Sequence, residues 1–378
     1  MLQTDGLKPR DGTVPGRDRA GATAAPGRHR SGPTATERPP TVSVIIKALN
    51  EERHIAVAIE SALAALAGIG GEVILADGGS TDRTVEIARG YPIVIVQLNR
   101  IEDRSCGSGA QLGFQYSRGQ YLMLIDGDMR LHPGFLPAAL DVLAQDFALA
   151  GVGGTVFECG VVNEEYEQRS KRHDPDGRVG FVTRLNSSGL YRRTAIDSVG
   201  YLTDRNLHGA EEFDLGARLH AAGWTLAKID RPIVDHHPHT GNAYRLLLRR
   251  VFNRNACGIG ELLRAAIGRR HFWFVIGRDR QSFLCLLVTG WWIALALAAF
   301  ALPGWSAAAV AGTLLLLPFA AMSLRWRSLR LGLYSVTAWN VFTLCSWPGL
   351  LRPRTPPANW IESTVLQILP VDDRKALQ

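Results

Sequence analysis

From Gln281 to Leu324 the chain runs for 44 residues without one charged side chain. A soluble core seldom needs so long a stretch. A bilayer does, because each charge at its centre costs about 2.5–3.5 kcal/mol. Pro303-Gly304 divides the stretch into Ser282–Leu302 and Trp305–Leu324, each long enough to cross a hydrocarbon layer ~30 Å thick. Arg278 and Arg280 precede the pair, Arg325, Arg327 and Arg330 follow it, and the tip between the halves carries no cation. The positive-inside rule therefore places both ends in the cytoplasm. A buried soluble hairpin is the competing reading. Leu331–Leu351 is a third uncharged stretch, interrupted by Asn340 and Pro348 and followed by Arg352 and Arg354, and it reads equally as spanning or re-entrant.

Ahead of this apolar back lies a different kind of chain. Residues 1–40 hold six Gly, six Pro and seven Lys or Arg with almost no aliphatic side chains, so they are expected to form a disordered tail. They lack the apolar core and cleavage site of a signal peptide, which leaves the following domain on the cytosolic side. Cys106, Cys159, Cys257, Cys285 and Cys345 form no C-x-x-C pair, so neither a disulfide framework nor a cysteine zinc site is expected, and a reducing compartment fits.

Residues 41–240 alternate between apolar runs and amphipathic stretches. Val42–Lys47, Glu72–Ala76, Pro92–Gln97 and Gln120–Ile125 predict strands. Asn50 is expected to cap a helix in which Ile55, Ala58, Ile59, Ala62, Leu63 and Leu66 share a face, with Glu51 and Glu52 in its first turn. Thr81–Arg89 and Ala110–Arg118 predict two further helices. The order implies an α/β fold whose sheet starts out parallel, with sites at the carboxyl ends of the strands.

Carboxylates stand at those ends. Tyr121-Leu-Met-Leu-Ile125 runs straight into Asp126-Gly127-Asp128. Two carboxylates at the exit of a buried strand must face water or share a cation, and oxygen ligands with open positions suit Mg²⁺ or Mn²⁺. D-G-D is also an ordinary turn. Asp77 ends another strand before Gly78-Gly79-Ser80-Thr81-Asp82, where helix capping competes with nucleoside binding. Glu211-Glu212-Phe213-Asp214 opens a helix, where acids also serve the helix dipole.

Taken in order, these segments resemble the family 2 glycosyltransferases, nucleotide-sugar-dependent enzymes with the GT-A fold. The likeness covers about 41 to 260. It is carried by Val42-Ser-Val-Ile-Ile46 through Asn50-Glu51-Glu52, by Ile74-Leu-Ala-Asp77-Gly-Gly-Ser-Thr-Asp82, and by Arg118 to Asp128 with Pro133-Gly-Phe135. Ser188-Gly-Leu-Tyr-Arg192, Val199-Gly-Tyr201 and Glu211 to Arg218 complete it. The resemblance implies that Asp128 holds a divalent metal on the donor diphosphate and that Asp126 contacts ribose or metal. It implies that Glu51 and Asp77 line the nucleoside pocket, and that Glu212 is the general base of an inverting displacement. Lys47, Leu49 and Gly78 depart from the family's usual Pro, aromatic and second Asp. The Gln-x-x-Arg-Trp motif of processive synthases is missing, which favours a single addition over polymerisation.

Asp235-His236-His237-Pro238-His239 follows a strand-like run. Neighbouring side chains on extended chain point opposite ways, so a three-His zinc site is not expected. One His completing the metal shell is, with His237 preferred and His236 the alternate. Residues 241–281 carry nine Arg against Glu261 and Asp279 and read as a basic amphipathic segment at a membrane surface. Arg249 and Arg250, with Glu211 and Asp214, are candidate acceptor or lipid contacts. A nucleic-acid partner is not expected, since membrane stretches follow directly.

A dehydrogenase reading from Gly107-Ser-Gly109 fails, because the third glycine is misplaced and no strand leads directly into the turn. A non-enzymatic membrane assembly protein with a degenerate transferase domain is the alternative of another class. The expectation is a multi-pass inner-membrane enzyme with its catalytic domain in the cytoplasm and a C-terminal tail at 352–378. It takes a nucleotide-sugar donor and a lipid-linked or polysaccharide-precursor acceptor, or a polyprenyl phosphate itself.

Overall fold

The computed structural model describes residues 40–159, 164, 167–168, 178–237 and 241–368. The expected tail, apart from residue 40, and His239 lie outside them. Three apolar runs, β1 (Val42–Ala48), β2 (Gly71–Asp77) and β4 (Tyr121–Asp126), make the middle of the sheet. They are parallel and almost wholly buried, which is why they read as continuous rather than alternating hydrophobic stretches. β3 (Val94–Leu98) extends them in parallel beyond β2. The helices α1 (Ile55–Leu66), α2 (Thr84–Ala88) and α3 (Cys106–Tyr116) form the crossovers. α1 buries Ile55, Ala58, Ile59, Ala62 and Leu66 against the sheet, the face its spacing predicts.

After β4 the chain turns into the short β5 (Met129–Leu131), then α4 (Phe135–Gln145). β6 (Leu149–Glu158), β7 (Gly180–Val182), β8 (Gly189–Arg192) and β9 (Thr225–His236) build the second half, with α5 (Arg193–Ser198) and α6 (Glu211–Ala221) between β8 and β9. With the last strand, β10 (Ser363–Gln367), the strand order is β10-β3-β2-β1-β4-β8-β6-β9-β5, with β7 on β9. β8 runs antiparallel to both β4 and β6, so the sheet is mixed.

α7 (Ala243–Phe252), α8 (Gly258–Ala266) and α9 (Phe272–Arg278) follow. Asn242 caps α7 by accepting from the Tyr244 and Arg245 backbone N–H groups. Then come α10 (Arg280–Ala301), α11 (Gly304–Trp326) and α12 (Leu329–Leu351). Among the described residues, α10 and α11 are long and apolar enough to cross a membrane, with mean hydropathies of 2.2 and 2.0.

Two expectations are corrected. Residues 352–368 are not a tail: Ser363–Gln367 is β10, an antiparallel edge strand on β3. Its residues are half-exposed and its partner lies some 270 positions away in the chain, so no local pattern announces it. Asn50 does not cap α1, which starts at Ile55 after His54 with no side-chain cap. Asn50 instead adopts a left-handed φ of 58° and serves another loop.

Candidate active site

The register of the central strands decides what can meet. Ala48 pairs with Asp77 and Lys47 with Asp126, so the carboxyl ends of β1, β2 and β4 finish side by side. The loops leaving β1 and β2 are stitched together. The Asn50 side chain accepts from the Thr81 N–H at 2.8 Å, and the Asn50 N–H donates to Ser80 Oγ at 2.9 Å. The Glu51 N–H reaches Thr84 Oγ1 at 2.8 Å, and the Glu52 N–H reaches Asp82 at 3.1 Å. This bracing, absent from any periodic pattern, uses up residues 78–83 and delays α2 to Thr84.

Asp77 belongs to the bracing. It is fully buried, and its carboxylate accepts from the Gly79 and Ser80 N–H groups, the Ser80 hydroxyl and the Gln97 amide. The side chain expected to line a nucleoside pocket is thus turned into the loop it organises. Arg104 closes the same loop by donating to the Gly78 and Gly79 carbonyls. Sequence reasoning passed over Arg104.

Asp126-Gly127-Asp128 forms the β4–β5 turn against the β1–α1 loop. A Cβ on Gly127 would stand 3.0 Å from Glu51 Cγ and 3.1 Å from Ala48 Cβ, so glycine here permits the close approach. Glu51 therefore lies in the field of both aspartates. Burial and then Asp128 and Asp126 push its carboxyl up to about 8, while Arg249 on α7 pulls the other way.

Asp128 is nearly buried and meets β9. Its carboxylate lies 3.4 Å from His236 Nε2, and the opposite nitrogen, Nδ1, is 2.6 Å from Glu158. Burial opposes a charge on His236, but the two carboxylates outweigh it and raise the imidazole to about 10. His237, the preferred histidine, sends only its backbone N–H to the Asp128 carbonyl at 3.0 Å, and its ring stacks on His54 with centroids 5.3 Å apart. The alternation of an extended chain explains the outcome: β5–β9 pairing opposes Met129 to His236, which aims His236 at Asp128 and His237 elsewhere.

Lys47 joins the two acidic regions. Its Nζ is 2.9 Å from Asp126 Oδ1 and 3.6 Å from Glu211 Oε1. Burial works against its charge, yet Asp126, Glu211 and Glu212 outweigh that and hold the ammonium well above its usual value. Sequence reasoning saw Lys47 only as a missing proline. The signal was available, since a lysine closing an apolar strand needs a counter-charge.

Glu211 and Glu212 open α6 after Ala210, whose φ of 63° turns the chain sharply into the helix. Glu211 is buried on Lys47, and burial with the neighbouring Glu212 raises its carboxyl. Glu212 is half-buried. Asp214 faces away from this group: it accepts from Arg218 Nε at 2.7 Å, and Arg218 also donates to the Tyr201 and Leu202 carbonyls at 2.8 Å. Asp214 thereby holds the 201–202 loop rather than an acceptor. Arg250 stands on the same helix as Arg249.

Among the described residues no three His, Cys, Asp or Glu side chains converge as a ready ligand set for a metal. The donor chemistry nevertheless fits a hard divalent ion. Glu51 on the β1–α1 loop packs against the turn that carries Asp126 and Asp128, so three carboxylates, all oxygen donors, stand close together.

Comparison with known proteins bears on the family and the fold. Residues 43–200 match the family model described as Glycosyl transferase family 2. Over 118 residues, 29% of the chain and 36% of the relative, the sequence is 36% identical to an undecaprenyl-phosphate 4-deoxy-4-formamido-L-arabinose transferase of Pectobacterium carotovorum subsp. carotovorum (strain PC1). It is 28% identical over 215 residues to the succinoglycan biosynthesis protein ExoA of Rhizobium meliloti (strain 1021), covering 52% of the chain and 62% of that protein. The chain thus spans less than two thirds of these relatives' length. A mannosyltransferase from Pyrobaculum calidifontis, solved with GDP-Man and Mn²⁺, superposes with a TM-score of 0.53 at 18% identity, covering 83% of the chain and 88% of that structure. The likeness is one of fold, and the fold is GT-A.

Proposed function

The chain carries a family 2 glycosyl transferase domain across residues 43–200, and we infer from the site that it is an inverting, metal-dependent enzyme at a membrane face. It moves a sugar from a nucleotide-diphosphate donor to a lipid-linked or polysaccharide-precursor acceptor. One observation carries this reading: Lys47 holds the donor-side Asp126 and the acceptor-side Glu211 on either side of one ammonium, so both halves of a displacement meet in one cleft.

In this reading Asp128 and Asp126 hold Mg²⁺ or Mn²⁺, with His236 in place of His237 beside Asp128. When bound, the ion supplies charge stabilisation to the leaving diphosphate. Glu51 lines the donor pocket, and the Asp77 loop shapes its floor. Glu212 takes the proton from the acceptor hydroxyl as the new bond forms at the anomeric carbon. It is the better candidate of the pair, since Glu211 is buried on a cation while Glu212 stays half-open to the cleft. α10 and α11 anchor the protein in the inner membrane with the catalytic domain in the cytoplasm, as the Arg residues flanking the pair suggest.

A second reading is transfer to a polyprenyl phosphate itself. The name of the Pectobacterium relative favours it, and Arg249 at the cleft edge offers an acceptor phosphate a cation. Purified protein incubated with a panel of nucleotide sugars and Mn²⁺ or Mg²⁺ tests the class. Release of nucleotide diphosphate that stops in EDTA and returns with metal is expected. No release from any donor supports the non-enzymatic alternative.

A further inference from the structure

We propose that α12 does not cross the bilayer but lies along its surface beneath the catalytic domain, so that the chain crosses twice and returns to the side it left. The inference rests on the reading of α10 and α11 as a membrane hairpin.

A crossing helix meets a soluble domain at one end only. At 1.5 Å per residue, α12 is about 34 Å long, and it meets the domain along its length. Near its start, Arg330 pairs with Glu167 at 2.8 Å, and the Tyr334 ring packs perpendicular to Tyr244 of α7 with centroids 5.4 Å apart. Ala338 joins Ala243 and Leu247 in the same apolar cluster. Near its end, small residues let backbones touch. A Cβ on Gly260 of α8 would fall 1.8 Å from the Ser346 carbonyl oxygen, and one on Gly349 would fall 2.4 Å from that of Cys257. Just beyond, Arg352 pairs with Glu261 at 2.6 Å and Arg354 pairs with Asp204.

Parity makes the same point. Immediately before α10, Phe274 and Val275 of α9 pack on the catalytic domain at Phe213, His220 and Leu207. Immediately after α12, the Thr355 N–H donates to Asn206, the Ile361 N–H donates to Gln115, and β10 joins the sheet. Both ends of 280–352 lie on one domain, so the number of crossings between them is even. α10 and α11 supply two, and α12 as a third would strand β10 on the far side.

Composition agrees, because α12 is not among the described helices apolar enough to cross. Its outward residues Leu333, Leu344, Trp347 and Leu351 are exposed. α12 packs against both α10 and α11, whose own exposed residues are also largely apolar, and Arg325 and Arg327 flank the start of the helix. An apolar row edged by cations suits the boundary between lipid headgroups and acyl chains.

The test is cysteine labelling of the full chain in sealed, right-side-out spheroplasts and in inverted vesicles, with a reagent that does not cross membranes. G304C, R327C and P356C are compared, with A358C as a second position on the connection to β10. The native, exposed Cys159 is replaced by Ser in these variants and is labelled separately, in the unsubstituted chain, to mark the catalytic side. The proposal expects G304C to label from outside, and R327C, P356C and A358C to label only in inverted vesicles. Outside labelling of P356C and A358C, with R327C inside, overturns it and makes α12 a third crossing. Failure of G304C to label from outside, with all four behaving alike, instead overturns the membrane hairpin and the proposal with it.

Discussion

Lys47 sits where charge is hardest to remove. Its ammonium is 15% exposed and faces Asp126 and Glu211, so its loss leaves the buried Glu211 carboxylate without its cation. Breaking a buried pair by deleting one partner costs about 3–5 kcal/mol, and K47M should lower the free energy of unfolding within that range in urea titration. The acid pair makes a finer prediction. E212Q keeps shape and removes basicity, and should reduce kcat by ~10²–10⁴ with donor binding nearly unchanged. E211Q should cost far less turnover, because Glu211 balances Lys47 rather than facing the cleft. A dead E211Q beside an active E212Q would exchange the two roles. Residue types and their order were legible in the chain; orientation was not. The Asp77, Asp126, Asp128 and Glu211–Glu212 positions all stand out as acids at element ends. Only strand register shows that Asp77 turns inward and that His236 rather than His237 reaches Asp128.

At the scale of elements, the central strands announce themselves because burial on both faces demands unbroken apolar runs. Elements made by distant partners do not. β10 is a half-exposed pentapeptide that becomes a strand only because β3 offers an open edge. The segment leading to it straps the loop ahead of α6: Arg354 pairs with the fully buried Asp204, Arg205 donates to the Asn359 and Trp360 carbonyls, and Asn206 exchanges hydrogen bonds with Thr355. That strap joins the end of α12 to the loop that presents Glu211 and Glu212. R354A should destabilise the fold by about 3 kcal/mol, read in denaturant, since Asp204 would be left buried without its cation. An unchanged unfolding midpoint would show that the strap carries no load.

For the molecule as a whole, the division into an α/β front and an apolar back follows from charge distribution alone, as does the hairpin α10–α11. What α12 does is not legible, because its interrupted hydropathy fits several paths and only its contacts with α7 and α8 choose among them. The central claim is that the turn after β4 organises a donor and its metal opposite an acid-bearing helix. The most direct measurement compares wild type and D128A, purified and with matching far-UV circular dichroism, for release of nucleotide diphosphate from the active nucleotide sugar, each with Mn²⁺ and with EDTA. The account predicts that wild type with Mn²⁺ turns over and that D128A and both EDTA samples do not. Full turnover by folded D128A, or by wild type in EDTA, would contradict it.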